Sequence, residues 1–148
     1  MADKNFDTID QLMNYVYDQV EQVIFGQIYE FVMNKLFESI EENVFSVYEP
    51  ILYKRRSLTE ENEGLLNSWI VLQEGTKENP IMIIENTATK VWEDSGMSLA
   101  ELIEYGSPQS QGQIYLEPRP FIEPVMEELK ASGDLERILQ QSLDFLIW

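Results

Sequence analysis

Apolar residues in the first third of the chain recur at steps of three and four: Ile9, Leu12, Met13, Val16, Val20, Val23, Ile24, Ile28 and Phe31, continued by Leu36, Phe37, Ile40 and Val44. That spacing gathers them on one side of a helix and predicts a single long amphipathic helix over residues 8–45. Thr8 and Gln11 have the spacing of a capping box, in which each side chain satisfies a free amide at the helix start. Gly26 costs up to ~1 kcal/mol relative to alanine and marks the point where the helix would bend or divide. Unbroken, the segment spans on the order of 55 Å. Tyr15, Tyr17, Phe25 and Tyr29 fall partly off the stripe, so the helix has more apolar surface than one packing face requires. Either it is buried on two sides within the fold, or it touches neighbouring subunits. Its length favours the second reading, which makes Tyr15, Phe25 and Tyr29 candidate interface residues.

Tyr48-Glu49-Pro50 ends the helical pattern, because proline disfavours helical geometry in the residue before it. An irregular stretch is expected over 48–64. Leu65 to Gln73, centred on Trp69-Ile70-Val71, reads as a strand, and Ile81 to Glu85 as a second. The turn-rich run Glu74 to Pro80 joins them as a long hairpin. Ser98 and Glu101 repeat the capping-box spacing ahead of Leu99, Leu102 and Ile103, predicting a short helix that stops at Gly106. Gly106 to Gly112 reads as a mobile loop, and Ile114-Tyr115-Leu116 as a third short strand. Pro124 fits only the first turn of a helix, placing one from Phe121 to Ala131 with Gly133 at its end. Asp134 is expected to cap a last helix carrying Leu135, Ile138, Leu139 and Leu143. The chain ends on Phe145-Leu146-Ile147-Trp148, an apolar tail that either packs back on the sheet, the preferred reading, or docks on another subunit. The pattern predicts an α+β fold in one domain over 1–148: a long helix over 1–47, a loop over 48–64, and a sheet with C-terminal helices over 65–148.

Composition narrows what such a fold can do. With 148 residues and 44% hydrophobic content the chain suffices for one core. The 27 acidic and 10 basic residues give a formal charge of −17, which opposes binding to phosphate backbones or anionic membranes. Copies of the chain repel one another, so self-assembly needs apolar contacts and is favoured by salt. Residues 1–50 hold only Lys4 and Lys35 as cations. No run approaches the length of a membrane span and no signal-peptide layout is present, so a soluble protein made in the cytoplasm is expected.

Chemistry is constrained by what is missing. Without histidine or cysteine, the commonest general base and metal ligand and the best thiol nucleophile are gone. Ser68 lacks the flanking glycines of a nucleophile elbow and reads as structural. No phosphate-binding loop or calcium-binding loop occurs. Glycoside hydrolysis needs only two acids at the right separation, but Glu60, Glu61 and Glu63, or Glu127 and Glu128, read as solvated faces. No enzymatic activity, metal or cofactor is expected. Lys54-Arg55-Arg56 is the single basic cluster. It either forms local salt bridges or meets the acidic surface of an adjacent copy, which makes Arg55 and Arg56 interface candidates.

Four segments stand in the order seen in a phage protein family: Gly64-Leu65-Leu66-Asn67-Ser68-Trp69, Glu85-Asn86-Thr87-Ala88, Leu102-Ile103-Glu104-Tyr105-Gly106 and Pro118-Arg119-Pro120-Phe121-Ile122-Glu123-Pro124. In this the chain resembles the tail-component family named for the tenth gene product of a lambdoid phage, whose members serve in tail completion and head-to-tail joining. Tyr48, Pro50, Tyr53, Arg55 and Arg56 resemble, more loosely, a variant from phages of Gram-positive hosts. The resemblance covers residues 48–130. Ser57 to Glu63 stands where the family has a run of valine, proline, aspartate, threonine and glycine, so that loop departs from the pattern.

The resemblance implies helices flanking a small antiparallel sheet in a subunit that joins a ring, six-fold or twelve-fold, at the head-tail junction. It also implies partners in neighbouring connector, tail-tube or tail-terminator proteins, and no catalytic residue. The implied location is the host cytoplasm during assembly and then the virion neck. Rings need heterologous contacts, which adds Arg119, Phe121, Phe145 and Trp148 to the interface candidates, and an acidic wall suits a conduit through which DNA passes without binding. The alternative from another class is a small acidic inhibitor or DNA mimic. Such mimicry requires neither the apolar pattern nor the proline-arginine-proline passage.

Overall fold

The computed structural model describes residues 5–46, 65–66, 68–88, 98–106 and 118–147. The periodic N-terminal segment is one continuous helical rod. It comprises α1 (Ile9–Val23), a π-helical turn (Ile24–Ile28), α2 (Tyr29–Ile40) and a second π-helical turn (Glu41–Phe45). Thr8 caps α1 by accepting from the amide of Gln11 at 3.2 Å, while the Gln11 side chain accepts from the amide of Asp7 at 2.9 Å. The helix does not divide at Gly26; it widens there into the π-helical turn. The Tyr29 amide reaches back to the Ile24 carbonyl, a five-residue closure with Gly26 inside it. Val23 and Ile28 are five apart and would diverge around an α-helix; the wide turn brings both to the buried side. The second wide turn closes in the same way, from the Ser46 amide to the Glu41 carbonyl at 2.9 Å.

β1 (Trp69–Gly75) and β2 (Pro80–Asn86) form an antiparallel hairpin in register from Trp69 opposite Asn86 to Gly75 opposite Pro80. The first strand begins at Trp69 rather than Leu65, because Leu65 turns into the core and Ser68 is held by Thr87. It also runs further than the pattern indicates, to Gly75. The connection is therefore the tight turn Thr76–Asn79, closed by reciprocal backbone bonds of 3.2 and 3.1 Å. Gly75 sits at φ +81°, where a Cβ would lie 2.3 Å from the Asn79 carbonyl oxygen. The positions alternate along the hairpin: Trp69, Val71, Met82 and Ile84 are half-buried against the helices, while Ile70, Leu72, Ile81 and Ile83 face outward.

Three helices complete the described fold: α3 (Leu99–Tyr105), α4 (Glu123–Ser132) and α5 (Asp134–Ile147). The predicted capping box of α3 is present, with the Ser98 amide donating to Glu101 at 2.7 Å and the Glu101 amide to Ser98 at 3.2 Å. Gly106 follows at φ +76° and Gly133 separates α4 from α5 at φ +66°. Asp134 lies inside the first turn of α5 rather than capping it. The Arg137 amide bonds to the Gly133 carbonyl, and the Asp134 carboxylate takes the Arg137 guanidinium instead.

Two apolar clusters hold the layers together. Ile40, Val44, Leu65, Ala100 and Phe121 form one; Met33, Leu36 and Val125 form the other, and Trp69 and Ile122 pack against both. α4 crosses α2 and covers the inner side of the hairpin through Val125 and Leu129, while α5 lies along α1 and the first π turn. The architecture is α+β, with a long N-terminal helix, a two-stranded antiparallel sheet and C-terminal helices. The loop over 48–64, the third strand at Ile114 to Leu116 and the loop after Gly106 lie outside the described residues.

Candidate interaction surfaces and the buried clamp

Ala100, Ile103 and Glu104 share one face of α3, so the short helix turns a carboxylate inward beside those two apolar residues. Glu104 is 6% exposed. Its Oε2 accepts from the amides of Phe121 at 2.8 Å and Ile122 at 3.0 Å, and its Oε1 from the amide of Glu123 at 2.9 Å. These are the free donors at the start of α4, and no side chain of α4's own N-terminal region caps them. A negative charge there also opposes the positive end of the helix dipole. The Arg119 amide donates to the Ile103 carbonyl at 2.7 Å, a second tie between the segments. From the other side, the Ser39 hydroxyl of α2 donates to the Phe121 carbonyl at 2.7 Å and accepts from Asn43 at 3.0 Å.

A parallel arrangement fixes the hairpin base. The Asn86 side chain donates to the Leu65 carbonyl at 2.8 Å and accepts from the Ala88 amide at 3.0 Å, while the Thr87 amide donates to the Ser68 carbonyl at 2.7 Å. The four family-like segments are thereby joined in pairs, the first to the second and the third to the fourth. Leu65, Ala100 and Phe121 bring both pairs into one core.

The sequence-selected residues fall in different places. Phe121 is 0% exposed and anchors the core, so it is a packing residue and offers no surface to a partner in this conformation. Tyr29 is half-buried against Met33, Leu36 and Val125. Phe25, also half-buried, lines a shallow groove with Asp18, Gln22 and Gln73. Tyr15 is half-buried, with its ring centroid 5.3 Å from that of Phe6. Arg119 is half-buried beside α3 through its backbone bond. Arg55, Arg56, Trp148 and the side chain of Phe145 lie outside the described residues.

Sequence reasoning did not single out Glu104, Ser39 or Asn86 for these roles. A signal existed for two of them: Ser39 stands between Leu36 and Ile40 on the buried stripe of α2, and Glu104 stands at helical spacing from Ala100. A polar group on an apolar face is buried only where a partner awaits it. Asn86 gave no such sign.

Charge on the described surface is organised by a few pairs. Lys35 of α2 meets Glu128 of α4 at 2.8 Å, and this hydrogen bond raises its pKa above the ordinary lysine value. Asp134 meets Arg137 at 2.6 Å, a bond that holds its carboxyl below the ordinary aspartate value. Lys77 at the hairpin turn reaches Asp18 of α1 at 2.7 Å. Among the described residues no three carboxylates converge as metal ligands would, and no helix is long and apolar enough to cross a membrane.

No curated protein and no solved structure is significantly similar to the chain. The profile of a family described as YomN matches residues 8–144, which span the helical rod, both clamps and almost all of α5. The name is of a Bacillus phage type and suggests a phage-associated protein. With the match running from the cap of α1 to the last turn of α5, the chain belongs to the YomN family.

Proposed function

We propose that the protein is a structural virion component of a tailed phage, a tail-completion or head-tail joining subunit that acts by binding other proteins. The observation that carries this reading is the pairing of the four tail-family-like segments. Glu104 clamps the fourth to the third, Asn86 and Thr87 clamp the second to the first, and a shared core joins both pairs. The family's phage-type name agrees with the reading, as does a sequence without histidine or cysteine. In this reading the subunit joins a six-fold or twelve-fold ring in the neck, touching connector and tail proteins, and its acidic surface lets DNA pass without sticking.

Electron microscopy of particles made without the gene tests the proposal. Filled heads beside free tails are the expected result, and normal infectious particles would refute it. An assembled ring with an electropositive bore would remove the DNA-conduit part alone.

A further inference from the structure

The rod ends on an unfavourable charge. Glu41 and Glu42 stand in its last turn, Glu41–Phe45, where carbonyls without helical partners make the helix end negative. Neither that turn nor the last turn of α2 carries a cation. Glu38 precedes them at three- and four-residue spacing, so the three carboxylates share a face and repel one another. All three are exposed, and among the described residues none has an ion-pair partner. Lys35 feels the charge of Glu38 but bonds Glu128 instead, at 2.8 Å.

These acids border an apolar surface. With Leu66 and with Phe37, which is 36% exposed, they line a groove of about 540 Å³. Phe37 stands four residues before Glu41, and Leu66 reaches the groove from the segment ahead of β1, packed on the cluster of Ile40, Val44 and Leu65. An occupant that satisfies both the carboxylates and the apolar wall carries cations beside apolar side chains. The chain holds one such segment. Lys54-Arg55-Arg56 is its only run of adjacent cations, with Leu52 and Tyr53 before it and Leu58 after it. Lys35, Lys77 and Arg137 already hold carboxylates of their own chain. The planar fork of arginine also suits carboxylates, which it bonds two oxygens at a time.

We propose that the groove between the end of the rod and Leu66 is one side of a head-to-tail contact between copies, and that its occupant is the Lys54-Arg55-Arg56 segment of a second copy. This rests on the ring reading above. Groove and cluster are different patches, so each copy offers one of each and the contact propagates, as a ring requires. Cations of one copy set on acids of the next also offset, at the junction itself, the repulsion that a charge of −17 imposes elsewhere.

Native mass spectrometry of the full chain at fixed ionic strength tests the contact. The wild type should form species larger than dimers as its concentration rises. The neutral variants E38Q/E41Q/E42Q and K54Q/R55Q/R56Q should keep its circular dichroism and melting temperature, yet each alone should self-associate at least about tenfold more weakly, the loss of three surface pairs. An equimolar mixture of the two has one intact groove and one intact cluster, so it should give a one-to-one pair and nothing larger. Because the chain has no cysteine, S57C and E42C then report the geometry: mixed and oxidised, they should cross-link to each other in preference to themselves. A wild type that stays monomeric, a mixture no more associated than its separate variants, or a double variant S57C/E42C that links only within one chain would overturn the proposal. Rings that still form from both neutral variants would overturn it while leaving the ring reading intact; that reading falls instead with normal particles made without the gene.

Discussion

Replacing Glu104 by glutamine keeps the shape of the side chain and removes its charge. Three amides converge on the carboxylate at 2.8, 3.0 and 2.9 Å. Glutamine has one acceptor oxygen, so at best the Phe121 and Ile122 amides stay bonded and the Glu123 amide faces an NH2 group. Hydrogen bonds to charged groups contribute about 1.5–3 kcal/mol and neutral ones about 1 kcal/mol, so one lost bond and two weakened ones cost roughly 3–4 kcal/mol. Relief of carboxylate desolvation at this buried site offsets part of that, leaving about 2–3 kcal/mol. For a domain near 150 residues this lowers the melting temperature by roughly 4–12 °C. Urea unfolding followed by circular dichroism measures it directly. E101Q is the control: it alters an exposed capping box and should cost less than about 1 kcal/mol. If E104Q lies within about 0.5 kcal/mol of the wild type, within the ordinary scatter of surface substitutions, the clamp does not hold α4 and the reasoning fails.

Gly75→Ala should destabilise by about 2 kcal/mol or more, because alanine at φ +81° is strained and its Cβ meets the Asn79 carbonyl at 2.3 Å; an unchanged melting curve would show that the turn shifts freely. Gly26→Ala should be neutral or stabilising by up to ~1 kcal/mol, since no atom lies within 4 Å of the new methyl and alanine is the better helix former. A lowered melting temperature would mean that the π turn requires glycine. The Asp134 carboxyl, depressed first by its bond from Arg137, contributes stability that is present above its unfolded pKa and lost as pH falls through the lower folded value. D134N should therefore flatten the acid limb of the stability profile in that window. An NMR titration midpoint for Asp134 at or above the ordinary aspartate value would contradict the assignment.

What the sequence determined by itself is local. The three- and four-residue steps, the Thr8 and Ser98 caps, the alternation in the hairpin and the stops at Gly106 and Gly133 follow from dihedral preferences and periodicity within a few residues, so the elements and their type were legible. Their ends were less so. Leu65 is as strand-like as Trp69, and only the core that takes Leu65 and the Thr87 bond to Ser68 decide where pairing begins. The widening at Gly26 had the same origin: a glycine permits it, but the need to bury both Val23 and Ile28 against elements distant in sequence imposes it. The clamp was decided wholly by tertiary structure. Glu104 is one of 27 acids; its helical spacing from Ala100 only hints at an inward face, and what sets it apart from a solvated acid is the three amides 17 to 19 residues away that are laid across it. The same holds for surfaces. Periodicity put Ile9 and Ile40 on one stripe, yet Ile40 is fully buried and Ile9 largely exposed, because Leu65, Ala100 and Phe121 close over Ile40 and none of the described residues covers Ile9 in the same way. Phe121 illustrates the converse. An aromatic beside prolines looks like a surface anchor in sequence, and only the closing of α2, α3 and α4 around it makes it the centre of the core.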